Sequence, residues 1–110
     1  MKLAGNVIIT QEKLTKYLLV LKKRNDKSQW LSKAGYQVNN WNILENDLRE
    51  IILQNEAIHI EDTLYGQLYK ISSNLIGPNT ISLSVCTIWM KESATGAIKF
   101  ITMYPDRREK

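Results

Sequence analysis

The sequence predicts an α+β fold, in which N-terminal helices pack on a four-stranded antiparallel sheet with meander order. Apolar residues recur with a helical period up to about Asn55 and alternate with a strand period after it. Helical and strand segments are therefore separated along the chain, which is typical of α+β rather than α/β proteins. A length of 110 residues predicts that residues 1–110 form a single domain.

Three helices are predicted in the first half of the chain. The first follows Thr10, a suitable N-cap, and the second covers residues 27–33, with Asp26 as its cap and Gly35 as its stop. The third runs from Trp41 to about Gln54. Apolar residues spaced by three and four positions give each helix one buried side. In the first helix these residues are Leu14, Tyr17, Leu18 and Leu21, and in the third they are Leu44, Leu48, Ile51 and Ile52.

Four strands are predicted in the second half, over residues 57–61, 67–75, 81–90 and 97–104. Turn residues separate the strands, most clearly at Gly77, Pro78 and Asn79. The last strand should end at Pro105, because proline has no N–H for strand pairing. The remaining residues, 106–110, are expected to form a frayed tail.

The composition excludes several classes of protein and site. No apolar run approaches the roughly 18 residues that span a bilayer, so we expect no membrane partner. The expected location is cytoplasmic, with a module carried into another compartment by a larger partner as the alternative. Cys86 is the only cysteine, which excludes an internal disulfide and a cysteine-based zinc site. With one histidine and no EF-hand or paired-carboxylate spacing, neither a metal site nor a cofactor is expected.

Positive charge is concentrated in the first third of the chain. Residues 13–33 contain seven basic residues and a single acid, Asp26. This asymmetry suits an anionic partner such as RNA, although a solvated helix face has the same composition. The candidate RNA-binding cations are Lys16, Lys22, Lys23 and Arg24.

The last two predicted strands bring together hydroxyl and aromatic side chains. Thr87 and Trp89 share a face, and so do Thr102 and Tyr104, because strand side chains alternate. Such groups can bind phosphate oxygens and stack on bases. The alternative interpretation is that they are ordinary cross-strand packing pairs.

His59 lies between Ile58 and Ile60 and should point away from their face. It is a candidate general acid or base on an open sheet face. A surface histidine without a catalytic role is the alternative.

Several short segments resemble a family of small uncharacterised bacterial domains. They are KLTKYLL (13–19), KSQWL (27–31), TIW (87–89) and ITMYP (101–105), with Gly35–Tyr36, Tyr65–Gly66 and Gly77–Pro78 between them. Members of that family occur alone and as C-terminal modules of larger proteins, including phage-type polymorphic toxins. The resemblance covers residues 13–105 and is carried by the order and spacing of the segments.

That family is in turn distantly similar to the ribonuclease-toxin group with barnase-like, EndoU-like, colicin-type and RelE-like domains. The resemblance implies cleavage of RNA without metal, with the 2′-OH as nucleophile. The Thr-x-Tyr-Pro ending is the main link, and the absence of a histidine pair is the main departure. The residues that the resemblance implies as catalytic are Lys13, Lys27, Thr102 and Tyr104, and those that it implies in RNA binding include Tyr17, Thr87 and Trp89. His59 falls outside the matching segments and is the alternative to Tyr104 for proton transfer.

Two functional hypotheses follow. The first is a metal-independent ribonuclease of toxin type, with a cognate immunity protein or antitoxin as partner. The second is a non-catalytic module that binds RNA or a protein through an exposed sheet edge. The sequence does not distinguish an active enzyme from a binding module, and it does not identify the substrate, the cleavage position, the oligomeric state or any inhibitor.

Overall fold

A computed structural model describes residues 2–19 and 27–106 of the chain. The predicted Asp26 cap, the cations Lys22, Lys23 and Arg24, and the tail after Asp106 lie outside these residues. The class is α+β, as predicted, but the sheet has five strands and is mixed. Its strands are β1 (Val7–Ile8), β2 (Ile58–Asp62), β3 (Gly66–Ile76), β4 (Ser82–Glu92) and β5 (Ile98–Pro105).

The strand order across the sheet is β1-β5-β4-β3-β2. Strands β2 to β5 pair antiparallel in sequence order, so the predicted meander lies within the larger sheet. The prediction of a four-stranded sheet was wrong because β1 adds a fifth strand, parallel to β5, with Val7 opposite Ile98. Arg49 holds β1 in place by donating to the carbonyl of Val7 at 3.0 Å.

The helical half contains two α-helices, α1 (Ser28–Ser32) and α2 (Trp41–Gln54), with a 3₁₀ turn at Val38–Asn40 before α2. α2 has the predicted bounds and buries the predicted stripe of Leu44, Leu48, Ile51 and Ile52. Asn40 precedes α2, but its side chain caps the 3₁₀ turn instead, accepting from the Gln37 N–H at 2.7 Å.

The first predicted helix is a π-helix over Lys13–Leu18, shown by the Leu19 N–H donating to the Leu14 carbonyl at 2.9 Å. A π-helix has more residues per turn than an α-helix, so the predicted apolar stripe does not stay on one side. Leu14 and Leu18 are buried, whereas Tyr17 is 42% exposed. π-helical turns are rare and are found frequently at functional sites.

The core lies between the helices and one face of the sheet. Leu14, Leu31, Leu44 and Leu48 pack in one cluster with β-strand residues such as Trp89. We call this side of the sheet the helix face and the opposite side the open face. Trp89 stands on β4, the central strand.

A β-bulge in β5 determines which residues reach each face. Trp89 pairs with Phe100 and Ile88 pairs with Thr102, so Ile101 is the extra residue. Before the bulge Ile98 and Phe100 face the core, and after it Met103 does. The bulge therefore turns Thr102 and Tyr104 to the open face, as bulges re-aim side chains elsewhere.

Helix α2 is anchored to β3 through Tyr36, which is almost fully buried. Its hydroxyl donates to an Asp47 carboxylate oxygen at 2.6 Å and lies 3.2 Å from the Ile76 carbonyl. Burial, followed by the contact with Asp47, raises the pKa of Tyr36 well above its ordinary value. The phenol therefore stays protonated and keeps donating.

Candidate active site

A cleft lies beside β5, where β1 has ended and the chain enters the π-helix. Its volume is about 650 Å³. β1 pairs only with Ile98 and Lys99, so no strand pairs with this side of β5 beyond Lys99 among the described residues. The side chains that line the cleft come from three separate parts of the chain: Thr10, Glu12, Lys13, Tyr17, Lys27, Ile101 and Thr102.

Lys13 is fixed to the bulge. Its ammonium donates to the carbonyl of Ile101 at 2.8 Å, and the side chain is partly buried. Because Ile101 is the extra residue in β5, its carbonyl is available to a side-chain donor. Lys13 therefore joins the π-helix to the last strand and places a positive charge in the cleft.

Lys27 reaches the next residue of the same strand. Its ammonium lies 3.1 Å from the Thr102 hydroxyl oxygen, to which it donates. The same ammonium stands 5.8 Å from the centre of the Tyr17 ring, within cation–π range. Lys13, Lys27 and Thr102, three of the residues predicted as catalytic, thus meet in one cleft, with Tyr17 beside them.

Sequence reasoning did not include Glu12, Thr10 or Ile101 among the candidate site residues. Of these, Glu12 matters most for chemistry, because it is the single carboxylate among the described residues that line the cleft. Glu12 directly precedes Lys13, a predicted catalytic residue, and this position could have indicated that it belongs to the site. Glu12 thus adds to the cleft a carboxylate, a type of side chain that can act as a general base.

Tyr104 is near the cleft but does not line it. It lies two residues after Thr102 on the same open face, and it is 38% exposed. A hydrogen bond with the Cys86 side chain opposite, and then burial, raise the pKa of Tyr104 to about 12. The phenol is therefore protonated at neutral pH and can donate a hydrogen bond.

His59 lies far from the cleft, so the structure does not bring it to the other predicted catalytic residues. It is on β2, three strands from β5, which at the usual strand spacing is about 14 Å. Its ring contacts the Asp62 carboxylate at 2.7 Å and packs edge-on against Tyr69. These two contacts explain the His59 side chain as a structural one on an edge strand.

Thr87 and Trp89 were proposed to contact RNA, but both are fully buried on the helix face. The Trp89 ring packs against Phe100, and its N–H donates to the Thr87 hydroxyl at 2.8 Å. The Thr87 hydroxyl donates in turn to the Ile71 carbonyl. No ring face of Trp89 is exposed to stack on a base. The prediction that Thr87 and Trp89 bind RNA is therefore corrected: both are core residues.

The other predicted RNA-binding cations are outside the cleft. Lys16 is exposed on the π-helix and does not line the cavity. Lys22, Lys23 and Arg24 lie outside the described residues, so their role stays a prediction.

A protein family of unknown function, DUF6883, matches residues 2–107. The chain belongs to the DUF6883 family. The match covers nearly all of the sequence, so it includes the whole sheet and every residue of the cleft. Among curated proteins, no match to this chain is found.

The DUF6883 fold is shared with a solved structure of different sequence. A chain of a contact-dependent growth inhibition toxin–immunity protein complex from Klebsiella pneumoniae 342 superposes with a TM-score of 0.70. The superposition covers 89% of this chain and 98% of that chain, at 19% sequence identity. At this identity the likeness shows a common fold.

Two further observations concern metals and membranes. Within residues 2–19 and 27–106, no group of three or more His, Cys, Asp or Glu side chains is placed to hold a metal ion. In the same part of the chain, no helix combines the length and apolar character that crossing a membrane requires.

Proposed function

We propose that this domain cleaves RNA without a metal ion and acts as a toxin-like ribonuclease. The observation that carries the proposal is the meeting of Lys13, Lys27 and Thr102 in one cleft with Glu12. Two ammonium groups, a hydroxyl and a carboxylate supply the charges and proton carriers that cleavage of a phosphodiester by its own 2′-OH needs.

The phosphate is bound by Lys27 and Thr102. Both can donate to phosphate oxygens once the 3.1 Å contact between them is exchanged for contacts with substrate. Lys13 adds a second positive charge from a fixed position, since its ammonium is held by the Ile101 carbonyl. Charge that grows on the phosphate in the transition state is then met by groups already in place.

Two protons move in the reaction. Glu12 takes the proton of the 2′-OH as the 2′-oxygen attacks phosphorus, and the bond from phosphorus to the 5′-oxygen breaks. The departing 5′-oxygen receives a proton, and Tyr104, protonated at neutral pH, is the donor on the open face. The products are a 2′,3′-cyclic phosphate and a free 5′-hydroxyl.

The toxin-like role is supported by the shared fold with a chain of a toxin–immunity protein complex. A ribonuclease of this kind needs an inhibitor in the cell that makes it. A cognate immunity protein is therefore the partner that we propose, alongside RNA as the substrate.

The proposal is tested by incubating the protein with tRNA and mRNA in EDTA. Wild type should cut and leave 2′,3′-cyclic phosphate ends, and Lys27→Ala should be slower by about 100- to 1000-fold. Lys33→Ala is the matched control, because Lys33 is exposed and does not line the cleft. No cleavage by wild type across the RNA panel would exclude the ribonuclease function.

The role of Glu12 is tested in the same assay with Glu12→Gln. We expect the rate to fall by about 100-fold or more, because the group that takes the proton of the 2′-OH is lost. Asp26, which precedes Lys27 in the sequence, provides the comparison as Asp26→Asn. A loss of this size in Asp26→Asn but not in Glu12→Gln would assign the base to Asp26.

The alternative function is a protein-binding module, and the β2 edge favours it. All five residues of β2 are exposed, and among the described residues only β3 pairs with this strand. The turn after β2 presents Leu64, 94% exposed, and Tyr65, 72% exposed. Such an edge can accept a strand from a partner.

The double variant Leu64→Ser, Tyr65→Ser distinguishes the two functions. A ribonuclease should keep its cleavage rate, because the turn is three strands from the cleft. If wild type cuts no RNA, yet a co-purified partner is lost in this double variant, the binding module is the function.

A further inference from the structure

Beyond the cleft, the open face of the sheet carries a second set of groups suited to RNA. Strand register places Lys70, Ile88 and Thr102 in one row across β3, β4 and β5. The next row on the same face contains Ser72, Cys86 and Tyr104. Thr102 thus belongs both to the cleft and to this face, so the two surfaces are continuous.

We infer that the substrate is an extended single-stranded RNA, whose nucleotides next to the cleaved bond lie across the open face, over Tyr104 and towards Lys70. This inference rests on the proposed ribonuclease function. It adds a binding region outside the cleft and defines the class of RNA that is bound. Single-strand binding proteins commonly combine an aromatic platform with nearby cations in this way.

The chemistry of the face fits such a strand. Tyr104 is exposed and can stack on a base. Ile88 and Met90 are partly buried and give an apolar floor, and Ser72 adds an exposed hydroxyl. Lys70 lies two strands from Thr102, about 10 Å away, so a strand with one phosphate in the cleft can bring another to it.

Charge on the open face also favours RNA over an acidic protein strand. The ammonium of Lys99 is paired with Glu92 at 2.7 Å. Two other carboxylates lie beside this face: Glu61 on β2, opposite Leu68, and Asp106, two residues after Tyr104, whose charge contributes to the raised pKa of Tyr104. The row from Thr102 through Ile88 to Lys70 itself contains no carboxylate, so its charge is the positive charge of Lys70.

The test compares a short and a long RNA probe that cannot be cut. A dinucleotide and an oligonucleotide of about 12 nucleotides, both 2′-O-methylated and fluorescein-labelled, are titrated with the full chain and followed by anisotropy. Lys70→Ala should weaken the long probe by roughly 5- to 10-fold and reduce its salt slope by about 1. The dinucleotide reaches only the cleft, so its affinity should not change.

Lys70→Arg should keep the wild-type affinity for the long probe, and Lys33→Ala, a loss of charge outside both regions, should behave as wild type. Equal affinity of Lys70→Ala and wild type for the long probe would overturn the inference. Cleavage in EDTA would then still support the proposed function. Conversely, Lys70-dependent binding without any cleavage would retain the RNA-binding face and exclude the ribonuclease.

Discussion

The ammonium of Lys13 donates to the carbonyl of Ile101 at 2.8 Å, across 88 positions of the chain. This contact joins the π-helix to the bulge of the last strand. Lys27 makes the neighbouring contact, with Thr102. The two lysines therefore differ: Lys13 binds a backbone carbonyl and joins two elements of the fold, whereas Lys27 binds a side-chain hydroxyl.

The first prediction separates these two lysines. Lys13→Met should reduce both the cleavage rate and the free energy of unfolding, the latter by about 1 kcal/mol, because the Ile101 carbonyl loses its donor. Lys27→Met should reduce the rate with a smaller change in stability. Urea denaturation and cleavage in EDTA measure the two quantities. Equal stability losses in the two variants would contradict a holding role for Lys13.

The second prediction concerns the pH dependence of Tyr104. Its pKa is raised from 10.0 to about 12 in the folded protein, so its stabilising contribution is complete below pH 10 and is lost as the pH rises through 12. Absorbance titration of the phenols should show one group near 12 that is missing in Tyr104→Phe. If the titration curve of Tyr104→Phe instead lacks a group that titrates near 10, the pKa of Tyr104 is not raised and the prediction is wrong.

The third prediction tests the buried hydrogen bonds on the helix face. Thr87→Val keeps the shape of the side chain but leaves the Trp89 N–H without its acceptor. We expect a loss of about 1–3 kcal/mol in the free energy of unfolding. Affinity for RNA should be unchanged, since Thr87 is fully buried. If the variant remains folded but binds RNA more weakly, the prediction is wrong and Thr87 contributes to RNA binding.

The fourth prediction concerns the turn between β3 and β4, which rests on the loop after α1. A Cβ at Gly77 would stand within 1.9 Å of the Ala34 carbonyl oxygen. Gly77→Ala should therefore lower the melting temperature strongly. At Gly96 a Cβ meets nothing within 4 Å, and the positive φ of 74° alone costs about 1–2 kcal/mol. Thermal denaturation should show the larger loss in Gly77→Ala.

The local elements were largely predictable from the sequence. α2 follows a regular apolar stripe, and the four meander strands follow alternation and turn residues, so their positions were found within a few residues. The sequence left residues 6–9 open as a short strand or an extended lead-in, and β1 was not placed in the sheet because it has only two residues and pairs with a distant strand. Long-range pairing of so short a segment leaves no periodic signal.

The candidate site was predictable only in part. Alternation correctly placed Thr102 with Tyr104 and Thr87 with Trp89. The bulge at Ile101, a single extra residue in an apolar run, places the two pairs on opposite faces. Which face the helices cover cannot be decided from alternation, so Trp89 was interpreted as accessible although it is fully buried. Glu12 joins the cleft through the π-helix, which the predicted α-helical pattern does not anticipate.

The cleft draws its lysines from the early part of the chain and its hydroxyl from the last strand, 75 positions away for the pair Lys27 and Thr102. During translation, the basic segment leaves the ribosome well before the residues that complete the cleft. The cleft therefore cannot form on a nascent chain until β5 has been made and has paired with β4. Any chemistry that depends on the meeting of Lys27 and Thr102 must wait for the last strand.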